Sequence, residues 1–102
     1  MTTVRTLSAL DGEPHARVLP DAEPKTIRLT LAADVEIPAH THPDREIVLY
    51  LVSGRIELRV GDETDTLAAG DIARFAGERE ISPRAIEAST ALIVLAPTDG
   101  TR

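Results

Sequence analysis

Alternation of apolar and polar residues is the feature that most restricts the fold of this 102-residue chain. In Lys25–Leu31 the branched aliphatic residues Ile27, Leu29 and Leu31 alternate with polar ones, and the same pattern returns in residues 55–60. A period of two is typical of a β-strand with one buried face, because successive side chains point to opposite faces. Between these segments, residues 47–52 form a continuous apolar run that suits a strand covered on both sides.

Turn signals separate these segments, and no stretch has sustained helical spacing. Glycine, aspartate and serine cluster at 53–54, 61–63 and 68–71, and we expect Ser53-Gly54 to form a tight turn. The last strands are expected at residues 84–88 and 92–95. Eight to ten short strands in this length predict an all-β fold, a small double-sheeted jelly-roll barrel.

The expected organisation is one barrel domain with two short appendages. Residues 25–97 form the barrel, residues 1–24 form a proline-containing N-terminal arm that packs on it, and residues 98–102 form a tail that frays. Within the arm, His15 is expected to be a solvated loop residue.

Composition narrows the function classes. A formal net charge of -6 and an aromatic content of 2% disfavour nucleic-acid binding, which needs a basic face and stacking rings. The chain contains no cysteine, so disulfides and thiolate sites are excluded. We find no signal peptide and no apolar run long enough to span a bilayer, and therefore expect a cytoplasmic protein without membrane contact.

The candidate metal ligands lie in the segment His40-Thr41-His42-Pro43-Asp44-Arg45-Glu46. His40 and His42 are two residues apart, so on an extended strand their side chains share one face. Glu46 stands at the start of the apolar run. Two imidazoles and a carboxylate are suitable ligands for a divalent metal. The alternative is that both histidines are hydrogen-bonded residues at the barrel mouth and that Glu46 pairs with an arginine on the rim.

From Asp34 to about Leu95 the chain resembles the small single-domain cupins. Their first motif runs glycine, five residues, His-x-His, three or four residues, glutamate, six residues, glycine. His40 and His42 match it, Glu46 follows after three residues, and Asp34 replaces the first glycine. Aspartate tolerates a left-handed backbone better than most residues, so that replacement is mild.

The spacing to the closing glycine leaves two alternatives. Seven residues separate Glu46 from Gly54, one more than in the motif. Counting forward from His42 puts Glu46 at the ligand position, whereas counting back from Gly54 puts Ile47 there. A shift of one residue changes the face that a side chain occupies, and a β-bulge is the usual way to absorb it.

The second cupin motif is incomplete here. It runs glycine, five residues, Pro-x-Gly, two residues, histidine, and Gly70-Asp71 matches its start. Counting from Gly70 puts Ile81 in the place of the histidine, whereas counting from Gly77 puts Glu80 there. The fourth ligand is thus either lost or replaced by a carboxylate.

The resemblance implies a metal-dependent small-molecule enzyme with dioxygenase, isomerase or decarboxylase chemistry. A divalent Fe, Mn, Ni or Zn would be held by four residues: His40, His42, Glu46 and Glu80. No organic cofactor is expected. Tyr50 and Arg74 are candidates for contact with a small-molecule ligand. The alternative is a binding or sensor domain without metal. Because the run at 47–52 needs cover on both faces, we expect a homodimer.

Overall fold

The structure, a computed structural model, describes residues 2–19 and 22–98. In this part of the chain the fold is almost entirely β, with one short 3₁₀ helix at Leu7–Ala9. No helix in these residues has the length and apolar character needed to cross a membrane. The strands are β1 (His15–Arg17), β2 (Lys25–Leu31), β3 (Arg45–Val60), β4 (Glu63–Ala68), β5 (Ile72–Ala76) and β6 (Ile81–Pro97).

The two long strands, β3 and β6, pair with each other in the interior of one antiparallel sheet. The sheet order is β1-β2-β6-β3-β4, and β5 also pairs with β3. β3 and β6 remain paired from Arg45 opposite Pro97 to Val60 opposite Ile81. The first half of β3 pairs with β5 and the second half pairs with β4. This arrangement confirms the predicted all-β jelly-roll fold.

A single apolar core joins both halves of the barrel, as the alternating pattern predicts. Leu51 is 0% exposed, and Ile47 and Leu49 are each 1% exposed. The other main core residues come from the alternating strands and from β6: Ile27, Leu29, Leu31, Ile56, Leu58, Val60, Ile81, Ala91 and Leu95.

Gly54 marks a bulge in β3 rather than the predicted turn. The pairing with β6 shifts register between Leu51 and Ile56, and Gly54 adopts a φ of 89°. A Cβ at Gly54 would lie 2.2 Å from Ser89 Oγ, so no larger residue fits. The strand bends at the bulge and continues to Val60, which explains why a glycine inside a strand was wrongly interpreted as a turn. The two strands predicted near the C-terminus are likewise one continuous strand, β6.

The segment from Asp34 to His40 runs antiparallel beside the first half of β6. It makes two isolated bridges, Glu36 with Arg84 and His40 with Ile81. Pro38 lies between them and has no N–H to donate, so a regular ladder cannot form there. Asp34 has a φ of 68°, the left-handed backbone that was expected where the motif has glycine.

The described part of the N-terminal arm lies against β2. Arg28 is 7% exposed, and its guanidinium donates hydrogen bonds to the main-chain oxygens of Leu7 and Gly12. Glu23 forms an ion pair with Arg45 of β3 at 2.7 Å. The outward residue Arg28 of β2 is therefore buried by the arm, although alternation alone predicts it to be solvated. Residues 99–102 of the predicted frayed tail lie outside the described residues.

Candidate functional site

A cavity of about 370 Å³ is lined by residues of β1, β2, β3, β5 and β6 and of the segment from Ile37 to His42. Aliphatic side chains from β2, β3 and β6 form most of its walls, and Phe75 of β5 adds the one aromatic ring. The polar side chains that reach it are three imidazoles, those of His15, His40 and His42. Neither an acidic side chain nor a lysine or arginine lines this cavity. The site is thus an apolar pocket whose polar groups are imidazoles.

Main-chain pairing fixes His40 against β6. His40 N donates to Ile81 O at 3.2 Å, and Ile81 N donates to His40 O at 2.9 Å. Directly opposed residues of an antiparallel pair place their side chains on the same face. His40 and Ile81 therefore share one wall of the cavity.

His42 is held through Gly77. Its N–H donates to Gly77 O at 2.7 Å, and Gly77 N donates to Arg45 O at 2.8 Å. A Cβ at Gly77 would lie 2.1 Å from His42 O, so this close approach requires glycine. Gly77 thus positions the loop that carries His42.

The two imidazoles of the His-x-His pair contact each other edge to face. Their ring centroids are 4.8 Å apart and the ring planes cross at 87°. The Nδ1 atom of His40 lies 2.9 Å from Pro38 O. A carbonyl oxygen only accepts hydrogen bonds, so His40 Nδ1 carries a hydrogen and donates it.

His15 joins this pair from another part of the chain. The sequence predicts a solvated loop position for His15, whereas in the structure it lies in β1, opposite Leu29 of β2. Its backbone is at the outer edge of the sheet, yet its ring lines the cavity. Thus all three histidines of the chain reach one pocket, a long-range relationship that no local sequence pattern shows.

Burial affects the acidity of two of these rings. It lowers the pKa of His15 and of His42 below the ordinary value of 6.5. Electrostatic interaction with His40 lowers both pKa values further, and Lys25 adds to the effect. Imidazoles with lowered pKa values are mainly uncharged at neutral pH.

The structure shows which of Glu46 and Ile47 faces inward. Ile47 lines the cavity at 1% exposure, whereas Glu46 points to the outer side, where it lies 3.1 Å from Arg74. The extra residue is absorbed between Leu51 and Ile56, downstream of Glu46, so it does not turn Glu46 inward. Ile47, the residue reached by counting back from Gly54, is thus the one that faces inward. The ion pair of Glu46 with Arg74 corresponds to the alternative in which Glu46 pairs with an arginine on the rim.

The predicted four-residue metal set is not brought together. Glu80 is exposed, and its neighbour Ile81 lines the cavity instead. Within residues 2–19 and 22–98, no group of three or more histidine, cysteine or acidic residues is arranged to hold a metal ion. Three imidazoles line the cavity, but they are not grouped closely enough to form a metal-binding set, and Ile47 and Ile81 stand where the resemblance implied further ligands.

The two candidate ligand-contacting residues also lie outside the cavity. Tyr50 is 39% exposed and stands opposite Leu92 and Ile72, on the outer face of the sheet. The side chain of Arg74 is 66% exposed and pairs with Glu46 on the same outer face. The cavity walls are instead formed by residues whose apolar character gave no functional signal, such as Ile93 and Phe75.

Comparison of the structure with solved structures gives several of the same fold. A RmlC-like cupin from Shewanella frigidimarina has a TM-score of 0.79 at 14% identity, covering 98% of this chain and 95% of the other. The cupin domain of an XRE-family transcriptional regulator from Enterobacter cloacae has a TM-score of 0.73 at 18% identity, covering 80% and 93%. A predicted oxalate decarboxylase from Thermotoga maritima has a TM-score of 0.74 at 16% identity, covering 81% and 78%.

The comparison with curated proteins found no match. A family model described as "Cupin domain" matches residues 27–95, which include the whole of β3 and nearly all of β2 and β6. The match spans the His-x-His segment, the bulge at Gly54 and the Gly70-Asp71 turn, and the jelly-roll fold agrees with it. The chain therefore belongs to the cupin family.

Proposed function

We propose that this cupin domain binds an uncharged, mainly apolar small molecule in its cavity and acts as a binding or sensor module without a metal. The observation that carries the proposal is that Ile47 and Ile81 occupy the cavity wall beside His40 and His42. Burying a charged ligand without a charged partner is costly, whereas covering apolar surface is favourable at about 25 cal/mol per Å².

The size of the cavity sets the size of the ligand. A cavity of about 150 Å³ accommodates benzene. The volume here, about 370 Å³, is more than twice as large. It therefore suits a molecule of roughly 10 to 15 non-hydrogen atoms by the same comparison.

Two pairs of observations bear on the choice between a binding module and a metal-dependent enzyme. The His-x-His pair and the similarity to a predicted oxalate decarboxylase favour metal chemistry. The aliphatic walls and the absence of a metal-binding group among the described residues favour binding alone. Similarity to the cupin domain of a transcriptional regulator shows that the fold also occurs in a regulatory protein. The second pair of observations concerns this chain's own pocket, and we give it more weight.

Methyl NMR on isoleucine-labelled protein tests the proposal with internal controls. The cavity is lined by Ile27, Ile37, Ile47, Ile81 and Ile93. Titration with the uncharged probe 2-methoxynaphthalene should shift these methyl signals in a saturable way. The signals of Ile56, Ile72 and Ile86, which do not line the cavity, should stay in place.

Manganese(II) serves as the opposing probe in the same sample. A bound paramagnetic ion would broaden the Ile47 and Ile81 methyl signals at stoichiometric concentration. We expect no such broadening. Broadening by manganese(II) without any response to the apolar probe would refute the binding-module proposal and favour the metal-dependent enzyme.

We also propose that a second copy of the chain covers the outer face of β3. Ile72 is 66% exposed, Tyr50 is 39% exposed and Val52 is 38% exposed, and Tyr50 lies directly opposite Ile72. Contiguous exposed apolar residues are typical of interaction surfaces, and a symmetric dimer would bury the same patch on both copies.

A further inference from the structure

We infer that the ligand of this cavity carries a hydroxyl group, as an alcohol or a phenol, whose O–H donates a hydrogen bond to Nε2 of His40. This inference rests on the proposed function and specifies the polar group of the apolar ligand. It follows from the hydrogen-bonding state of one ring and from the charges around it.

The main chain fixes the tautomer of His40. Nδ1 donates its hydrogen to Pro38 O at 2.9 Å, so in the neutral ring Nε2 has a lone pair and no hydrogen. Among residues 2–19 and 22–98, no side chain or main-chain group hydrogen-bonds this Nε2. A ring that lines the cavity therefore offers it an unused acceptor.

The cavity walls select against charged donors and charged acceptors. An ammonium group could donate to Nε2, but no aspartate or glutamate lines the cavity to balance its charge. A carboxylate has no lysine or arginine there either. An unpaired buried charge costs several kcal/mol, whereas a hydroxyl is neutral and can donate. Its oxygen can in turn accept a hydrogen from a second imidazole, and the ring of His42 is in edge-to-face contact with His40.

A matched series of naphthalene probes tests this at about pH 8, where an ordinary imidazole is neutral. 2-Naphthol has the donor, 2-methoxynaphthalene has the same oxygen without the donor, and 2-naphthoate has a charge. The chain contains no tryptophan, so naphthalene fluorescence reports binding without a tryptophan background. We expect 2-naphthol to bind about 3- to 10-fold more tightly than 2-methoxynaphthalene, the usual effect of one neutral hydrogen bond, and 2-naphthoate to bind most weakly.

His40→Phe keeps a ring of similar size but removes the acceptor. In this variant the affinity ratio of 2-naphthol to 2-methoxynaphthalene should fall to about one, because a single hydrogen bond sets the ratio. Thr41→Val removes a hydroxyl from the exposed neighbouring residue, which does not line the cavity, and should leave the ratio unchanged. The wild-type probe series stands even if His40→Phe does not fold.

The outcomes separate the two proposals. Equal affinity of the wild-type protein for 2-naphthol and 2-methoxynaphthalene would overturn the hydroxyl inference but leave an apolar binding site. Tightest binding of 2-naphthoate would overturn both the hydroxyl inference and the uncharged character of the ligand. If no probe of the series binds, the proposed function itself fails.

Discussion

His40 and Ile81 exchange two main-chain hydrogen bonds across the gap between the His-x-His segment and β6. This pairing sets an apolar side chain directly beside the first imidazole. Ile47 of β3 lines the same cavity and is 1% exposed. The chemical character of the cavity therefore depends on two side chains more than on the histidines.

The first prediction is that two substitutions create a metal site. Ile47→Glu with Ile81→His would add a carboxylate and a further imidazole to the cavity lined by His40 and His42. We expect cobalt(II) to raise the melting temperature of this variant, since a ligand at 100 times its Kd adds about 2.7 kcal/mol of stability. Ile86→His on the exposed surface is the control. An equal rise for the wild-type protein would contradict the prediction.

The second prediction concerns the loop of His42. Gly77→Ala should shift the imidazole NMR signals of His42 and destabilise the fold by about 1–3 kcal/mol, because the added methyl group would overlap His42 O. Gly70→Ala is the matched control: its φ is 98°, so it is strained, but nothing lies within 4 Å. It should destabilise the protein without moving the His42 signals. The opposite pattern of shifts would show that Gly77 does not position the loop.

The third prediction is a loss of stability in mild acid. The folded pKa values of His15 and His42 are below the ordinary 6.5, so the unfolded chain binds more protons as the pH falls through this window. The contribution of these two histidines to the free energy of unfolding should therefore be complete above about pH 6.5 and decrease below it. Urea denaturation across this range measures the decrease. The decrease in the free energy of unfolding should become smaller in the double variant His15→Gln with His42→Gln. An unchanged pH dependence in this variant would assign the effect to other groups.

The fourth prediction is that the protein is a dimer. Light scattering at micromolar concentration should give about twice the chain mass of 11.0 kDa. Ile72→Arg should convert it to the monomer, because the substitution puts a charge into the exposed apolar patch. Glu63→Arg, on exposed β4, is the control for added charge and should remain dimeric. A wild-type protein of 11 kDa would refute the dimer.

Much of the barrel could be predicted from local pattern, because period-two alternation directly reports which face of a strand is buried. The outward side of β2 is the exception. Arg28 looks solvated in the sequence but is 7% exposed, because the arm covers it through contacts about 20 residues away in sequence. A local sequence pattern does not report a contact between residues so far apart in the chain.

The site was predictable only as a set of alternatives. The choice between Glu46 and Ile47 depended on where the extra residue of β3 is absorbed, and the choice between Glu80 and Ile81 depended on which glycine starts the count. The structure answers the first by placing the bulge at Gly54, after Leu51. His15 was missed because β1 reaches the cavity only through its pairing with β2.

The shortness of β1 has a practical consequence. This strand has three residues and supplies His15 to the cavity wall, while the preceding segment is fastened by the guanidinium of Arg28. We expect a tether that pulls on that segment to disturb β1, and with it His15 at the cavity wall, before the rest of the barrel. Purification tags and immobilisation chemistry for ligand assays therefore belong at the opposite end of the polypeptide.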